Sequence, residues 1–98
     1  MQWDQNAVTV AGWQNGSGGS DETQLNQPLG ISISQNHVLY IADYNNHRVV
    51  AVDLNTNNST YIIGSGYFTA PHDIFVINTS LYISDTGNYR IIKLSLNG

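Results

Sequence analysis

The sequence predicts an all-β fold built from short strands. Three observations predict it: an internal repeat, β-branched runs broken at short intervals by turn residues, and a polarity carried by Asn, Ser, Thr, Gln and Gly instead of charge. The charged fraction of the 98 residues is only 10%, so there is little of the Lys and Glu that clothe surface helices. No helix of useful length is expected. The length allows one small domain, and the hydrophobic fraction of 41% suits a packed core.

The repeat sets the organisation. Pro28-Leu29-Gly30-Ile31-Ser32-Ile33 matches Pro71-His72-Asp73-Ile74-Phe75-Val76 at a shift of 43 residues. LYIADYNNHRVVAV, residues 39–52, matches LYISDTGNYRIIKL, residues 81–94, at a shift of 42. A fainter pair is VTVAG at 8–12 and TYIIG at 60–64. A period in the low forties with β-branched runs points to four-stranded propeller blades.

Each element follows from local pattern. Strand a is expected at 31–34 and 74–77, strand b at 38–42 and 81–84, and strand c at 48–53 and 90–95. Strand d is expected at 60–63 and again at 8–11. Turns rich in Asn and Gly separate them, at 35–37, 45–46, 55–58, 78–80 and 87–88. Val49-Val50-Ala51-Val52 and Ile91-Ile92 are apolar on both faces, which suits a blade packed between two others.

The order of strands is d, a-b-c-d, a-b-c. Blade one spans 28–64, and strands a to c of blade two span 71–96. The outer strand of blade two is expected from residues 1–12 of a neighbouring copy. Such a contact is head-to-tail and closes a ring or runs on as a filament. A bare blade face of several hundred Å² represents roughly 10 kcal/mol of unburied apolar area. A domain's net stability is only about 5–15 kcal/mol. A lone two-blade unit is therefore an unfavourable state, and the principal partner expected is the chain itself.

The residues Pro28, Gly30, Asp43, Asn46 and Arg48, repeated as Pro71, Asp73, Asp85, Asn88 and Arg90, resemble the NHL repeat. The resemblance covers residues 24–96. It implies an NHL-type β-propeller. Six blades are common in that family, which implies three copies of this chain. Two or four copies stay open. The chain also resembles two-blade pieces, excised or engineered, that assemble into symmetric propellers. It departs from the pattern in placing Asp73 opposite Gly30. Its d-to-a connection at 13–27 is also nine residues longer than the one at 65–70.

Candidate functional residues are few. Asp43 with Arg48, and Asp85 with Arg90, flank the b–c turn at the same spacing. A charge-assisted pair there locks the turn, and its presence in both blades favours a structural role over catalysis. His72 and Asp73 open the inner strand of blade two and are the candidates for a metal or a turn cap. Amidating-lyase relatives of the NHL family hold a metal in the channel. Here a single chain supplies one such His, so neither metal nor cofactor is expected. Loops d–a and b–c share one side of a propeller, gathering Trp13, Tyr44, Asn45, His47, Tyr67, Phe68 and a flexible Gly-rich loop at 16–23. This is the candidate binding face for a protein or small-molecule ligand.

The formal net charge is −4, with Arg48, Arg90 and Lys93 the only Lys or Arg residues. Nucleic acid is a disfavoured partner. No segment suits a membrane span. Four N-x-S/T sequons, at Asn15, Asn57, Asn58 and Asn78, lean toward a secreted parent, and no signal peptide is read at the N-terminus. The function expected is a non-enzymatic, self-assembling propeller scaffold or binding module. The alternative is a fragment of an amidating-lyase-like or hydrolase-like propeller enzyme.

Overall fold

The computed structural model describes residues 7–13 and 15–96. Seven strands form two antiparallel meanders. Blade one contains β1 (Pro28–Ile33), β2 (Val38–Asp43), β3 (Arg48–Asp53) and β4 (Ser59–Ile63), hydrogen-bonded in that order. Blade two contains β5 (Pro71–Ile77), β6 (Ser80–Asp85) and β7 (Arg90–Ser95). The only helical elements among the described residues are two single 3₁₀ turns, Tyr44–Asn46 and Thr86–Asn88, each filling a b–c turn.

The inner strands begin earlier than the sequence pattern suggests. β1 and β5 start at Pro28 and Pro71, and each ladder shifts register before resuming at Ile31 or Ile74. A proline lacks the ladder N–H and tolerates a strand's first position. The bulge that follows hides the strand from any period-two reading.

The expected outer strand at 8–11 forms no ladder within the chain; residues 7–10 are exposed coil. Residues 1–6 of that segment lie outside the described residues.

The blades stack face to face. Tyr40, Ala42, Val49 and Ala51 of blade one meet Ile74, Leu81 and Ile83 of blade two, with Phe68 sealing one side. A second cluster, Ile41, Val50 and Val52, occupies the opposite face of blade one beneath Ala11, Leu25 and Leu54. Covered on both sides, β3 is buried from Arg48 to Val52. Burial pushes the Tyr40 hydroxyl up to about 12, with help from neighbouring Tyr61.

The inner strands come close together at Gly30. A Cβ there would lie 2.7 Å from the His72 carbonyl oxygen and 2.9 Å from the Asp73 Cα. Both obstacles are backbone, so relief requires β1 and β5 to separate. Gly30→Ala should therefore destabilise the chain by about 1–3 kcal/mol, the usual cost of forced overpacking. Thermal unfolding by circular dichroism measures this, and an unchanged midpoint would contradict the close approach.

Candidate functional site

Three features can carry function: the b–c turn locks, the loop face and the blade faces that remain open.

The turn locks share one core of hydrogen bonds in the two blades. Arg48 Nε donates to Asp43 Oδ2 at 2.9 Å, and Arg90 Nε donates to Asp85 Oδ2 at 2.7 Å. Asn46 and Asn88 donate their side-chain amides to the same carboxylate oxygens. The other oxygen accepts a backbone N–H from the segment entering the blade, Asn26 at 2.8 Å or Thr69 at 2.7 Å. His47 and Tyr89 close the 3₁₀ turns in left-handed backbone, both at φ 54°. One carboxylate thus ties the end of strand b, the b–c turn and the incoming chain. Both carboxylate oxygens of Asp43 and of Asp85 are engaged within the fold, which is a structural arrangement.

The two locks differ at the arginine. The Arg48 guanidinium also donates to the carbonyls of Ser20, Asp21 and Gln24. Asn46 reaches the Gly19 carbonyl. The loop at 16–23, expected to be flexible, is instead wrapped around a buried cation. That is the physical use of the nine extra residues before blade one. Among the described residues, Arg90 has the Tyr67 carbonyl and ring in addition to Asp85, and remains partly exposed.

The loop face keeps some of its expected members. Trp13, Asn45, His47 and Tyr67 are exposed and Tyr44 is half-buried. Each has a partner: Trp13 Nε1 donates to Thr23 Oγ1, Asn45 to Asn26, and His47 Nδ1 accepts from the Ala70 N–H at 2.9 Å. Tyr44 meets the His72 ring edge-on. Phe68 does not belong to this face. It is 2% exposed, wedged between the blades over Gly64, whose lack of a Cβ leaves room for the ring. The signal for this lay in the repeat: Phe68 and Leu25 are 43 residues apart and play the same part on successive blades.

Asp73 does not cap a turn. Its exposed carboxylate lies 3.7 Å from His72 Nδ1 and meets no turn N–H among the described residues. No group of three or more His, Cys, Asp or Glu is placed to hold a metal ion among the described residues.

The open faces are the largest unsatisfied feature. On blade two, Phe75 is 61% and Ile91 68% exposed, and they line a groove with Asp73, Tyr82 and Ser84. On blade one, Ile31 and Ile33 are exposed, on the face that Ala11 and Leu25 cover only in part. Sequence reasoning placed bare faces here without naming their residues.

Burial raises the Asp85 carboxyl, but hydrogen bonds from Asn88, Thr69 and Arg90 outweigh it and hold the group below the ordinary range. A depressed folded value means that the stabilisation is complete above the unfolded value near 3.9 and fades as pH falls through the folded one. Asp85→Asn should therefore flatten the acid limb of a stability profile below about pH 4. An unchanged acid limb would contradict this. Asp43→Ala strands a buried guanidinium and should cost about 3–5 kcal/mol, while Asp85→Ala, with Arg90 partly in water, should cost less. Urea titration of the two variants orders them.

A search of curated proteins gave no match for the chain. The family model for the NHL repeat matches residues 25–52, which comprise the segment entering blade one, the lock residues Asn26, Asp43 and Arg48, and most of β3. Residues 25–52 of blade one are thus similar to an NHL repeat, and the two stacked all-β sheets are consistent with a short fragment of a β-propeller.

Proposed function

We propose that this chain is a self-assembling β-propeller module without catalytic chemistry of its own. The open face of blade two docks on the open face of blade one in a second copy. Three copies close a six-bladed ring, and residues 8–11 of one copy add to β7 of the next as its fourth strand. The loop face around Trp13, Tyr44, Asn45 and Tyr67 is left to present a surface to a protein or small-molecule ligand.

One observation carries this reading. The repeat that relates the blades also relates the seam within the chain to the faces left open. In that seam, blade one contributes Tyr40, Ala42, Val49 and Ala51. Their counterparts in blade two, at the 42-residue shift, are Tyr82, Ser84, Ile91 and Lys93 on its open face. Blade two contributes Ile74, Leu81 and Ile83 to the seam. Their counterparts in blade one are Ile31, Leu39 and Ile41, on the face opposite the seam. The two free faces are therefore the two halves of an interface that the chain already makes once. Repeating that contact between copies is heterologous, as ring closure requires.

The N-terminal segment supports the strand addition. Gly12, at φ +83°, lies beside Leu25 as Gly64, at φ +67°, lies beside Phe68. Ala11 packs on blade one as Ile63 packs on blade two. Residues 8–12 thus approach blade one as the end of β4 approaches blade two, and β4 is an outer strand. Val8 and Val10 are exposed, and β7 is the edge of its sheet among the described residues.

Sedimentation equilibrium at micromolar concentration should return the mass of three chains. A clean monomer would overturn the proposal. Removal of residues 1–12 should abolish the closed ring, and an undisturbed trimer after that deletion would refute the strand addition.

A further inference from the structure

Resting on that reading, the seam between copies cannot be identical to the seam within the chain. Asp73 stands where blade one has Gly30. A Cβ at Gly30 would collide with the backbone at His72 and Asp73. Asp73 carries such a Cβ, so the same approach between copies would drive it into the backbone near Leu29 and Gly30 of the next chain. The seam between copies must stand wider at its inner strands than the seam within the chain.

The side chains facing that wider gap are larger. Ser32 of blade one, which accepts the Val76 N–H across the seam at 3.1 Å, has Phe75 as its counterpart. Val49 has Ile91, and His47 has Tyr89. The opposite surface changes the other way at three positions. Where blade two offers Phe68, Ile92 and Leu94 to the seam within the chain, blade one offers Leu25, Val50 and Val52. Ile33 against Val76 runs in reverse, on the inner strand where the gap is widest. Val50 and Val52 are buried behind Leu25, so the surface they support is slimmer where the open face of blade two is bulkier. Close-packed interfaces demand such compensation, because both voids and overpacking cost stability.

Tyr89 is the outermost of these residues. It is 96% exposed, in left-handed backbone at φ 54°. Its counterpart His47 crosses the seam within the chain to accept the Ala70 N–H. The counterpart of Ala70 is Gln27, which shares its left-handed backbone, at φ 55° against 51°. A phenol ring at this position reaches over Gln27 of the next copy and covers the end of the seam, and buried tyrosines are favoured anchors of interfaces.

We propose that the free faces are matched in size to each other, that their occupant is a second copy of this chain, and that Tyr89 anchors the resulting seam. The assembled ring then alternates two kinds of seam: a slim one within each chain, fastened by Ser32 and His47, and a wider aromatic one between chains.

The test uses the full chain and reads the association constant by sedimentation over a concentration series. Tyr89→Asn suits the left-handed backbone and removes no contact within the chain's core, so circular dichroism of the dilute variant should stay native. It should weaken association at least about tenfold. Ile33→Phe should also weaken association, and Phe75→Ala placed in the same chain should recover most of the loss, since both are exposed in the single chain and are the counterparts of Val76 and Ser32, which meet across the seam within it. Assembly of the parent chain that is indifferent to Tyr89→Asn, or an Ile33→Phe defect that Phe75→Ala leaves unchanged, would overturn the proposal while leaving self-assembly standing. A parent chain that stays monomeric would overturn both.

Discussion

A sheet that is apolar on both faces has to be covered on both faces, and this constraint governs the molecule. β3 shows it met in full: blade two lies on one side, and Ala11, Leu25 and Leu54 lie on the other. β7 shows it half met, with Ile92 and Leu94 packed toward blade one while Ile91 faces out. Hydrogen bonding along the ladders adds only about 0.5–1.5 kcal/mol net per bond, because water would satisfy the same groups, and strands a to c make it alike in both blades. What distinguishes the two blades energetically is therefore the number of covered faces, and the same chain contains both the satisfied and the unsatisfied case.

The carboxylates of Asp43 and Asp85 make that stacking possible. A blade can present a flat face only if its inner, second and third strands are held in register where the chain turns. Each carboxylate holds that corner by accepting from an arginine, an asparagine and the N–H of the segment entering strand a. Charge-assisted bonds to a buried acceptor are stronger than neutral ones, and breaking one side leaves the other uncompensated. The elongated loop before blade one elaborates this device. Its carbonyls accept three of the five Arg48 guanidinium N–H groups, whereas Arg90 shows one such carbonyl bond among the described residues. The longer connection serves as a lid for a buried charge.

Much of this was legible in the residues. Strands b and c were readable because their β-branched runs recur at one shift, and the Asp and Arg of each lock stand five positions apart in both copies. The starts of β1 and β5 were not, because a bulge breaks the alternation that marks a strand. The third partner of each lock was also hidden. It is a backbone N–H, which every residue but proline carries, delivered from 16 or 17 residues upstream. Phe68 was misplaced because aromatic residues in a Gly- and Ser-rich loop read as surface. The same 43-residue comparison that found the strands assigns it with Leu25 to the blade interface.

Repeat symmetry explains where the two blades agree, and departures from it mark where they meet different neighbours. The lock residues do not vary between copies because each acts within its own blade. Three of the largest changes, Gly30 against Asp73, Ser32 against Phe75 and His47 against Tyr89, lie on one face or its rim. In blade one that face is closed by the chain itself, and in blade two it is open. A strictly repeated chain would have no means of distinguishing the two situations. Placing small, hydrogen-bonding residues at the internal seam and large aromatic ones at the open face gives each seam its own chemistry. It also disfavours registers that would press Asp73 and Phe75 into a gap sized for glycine and serine.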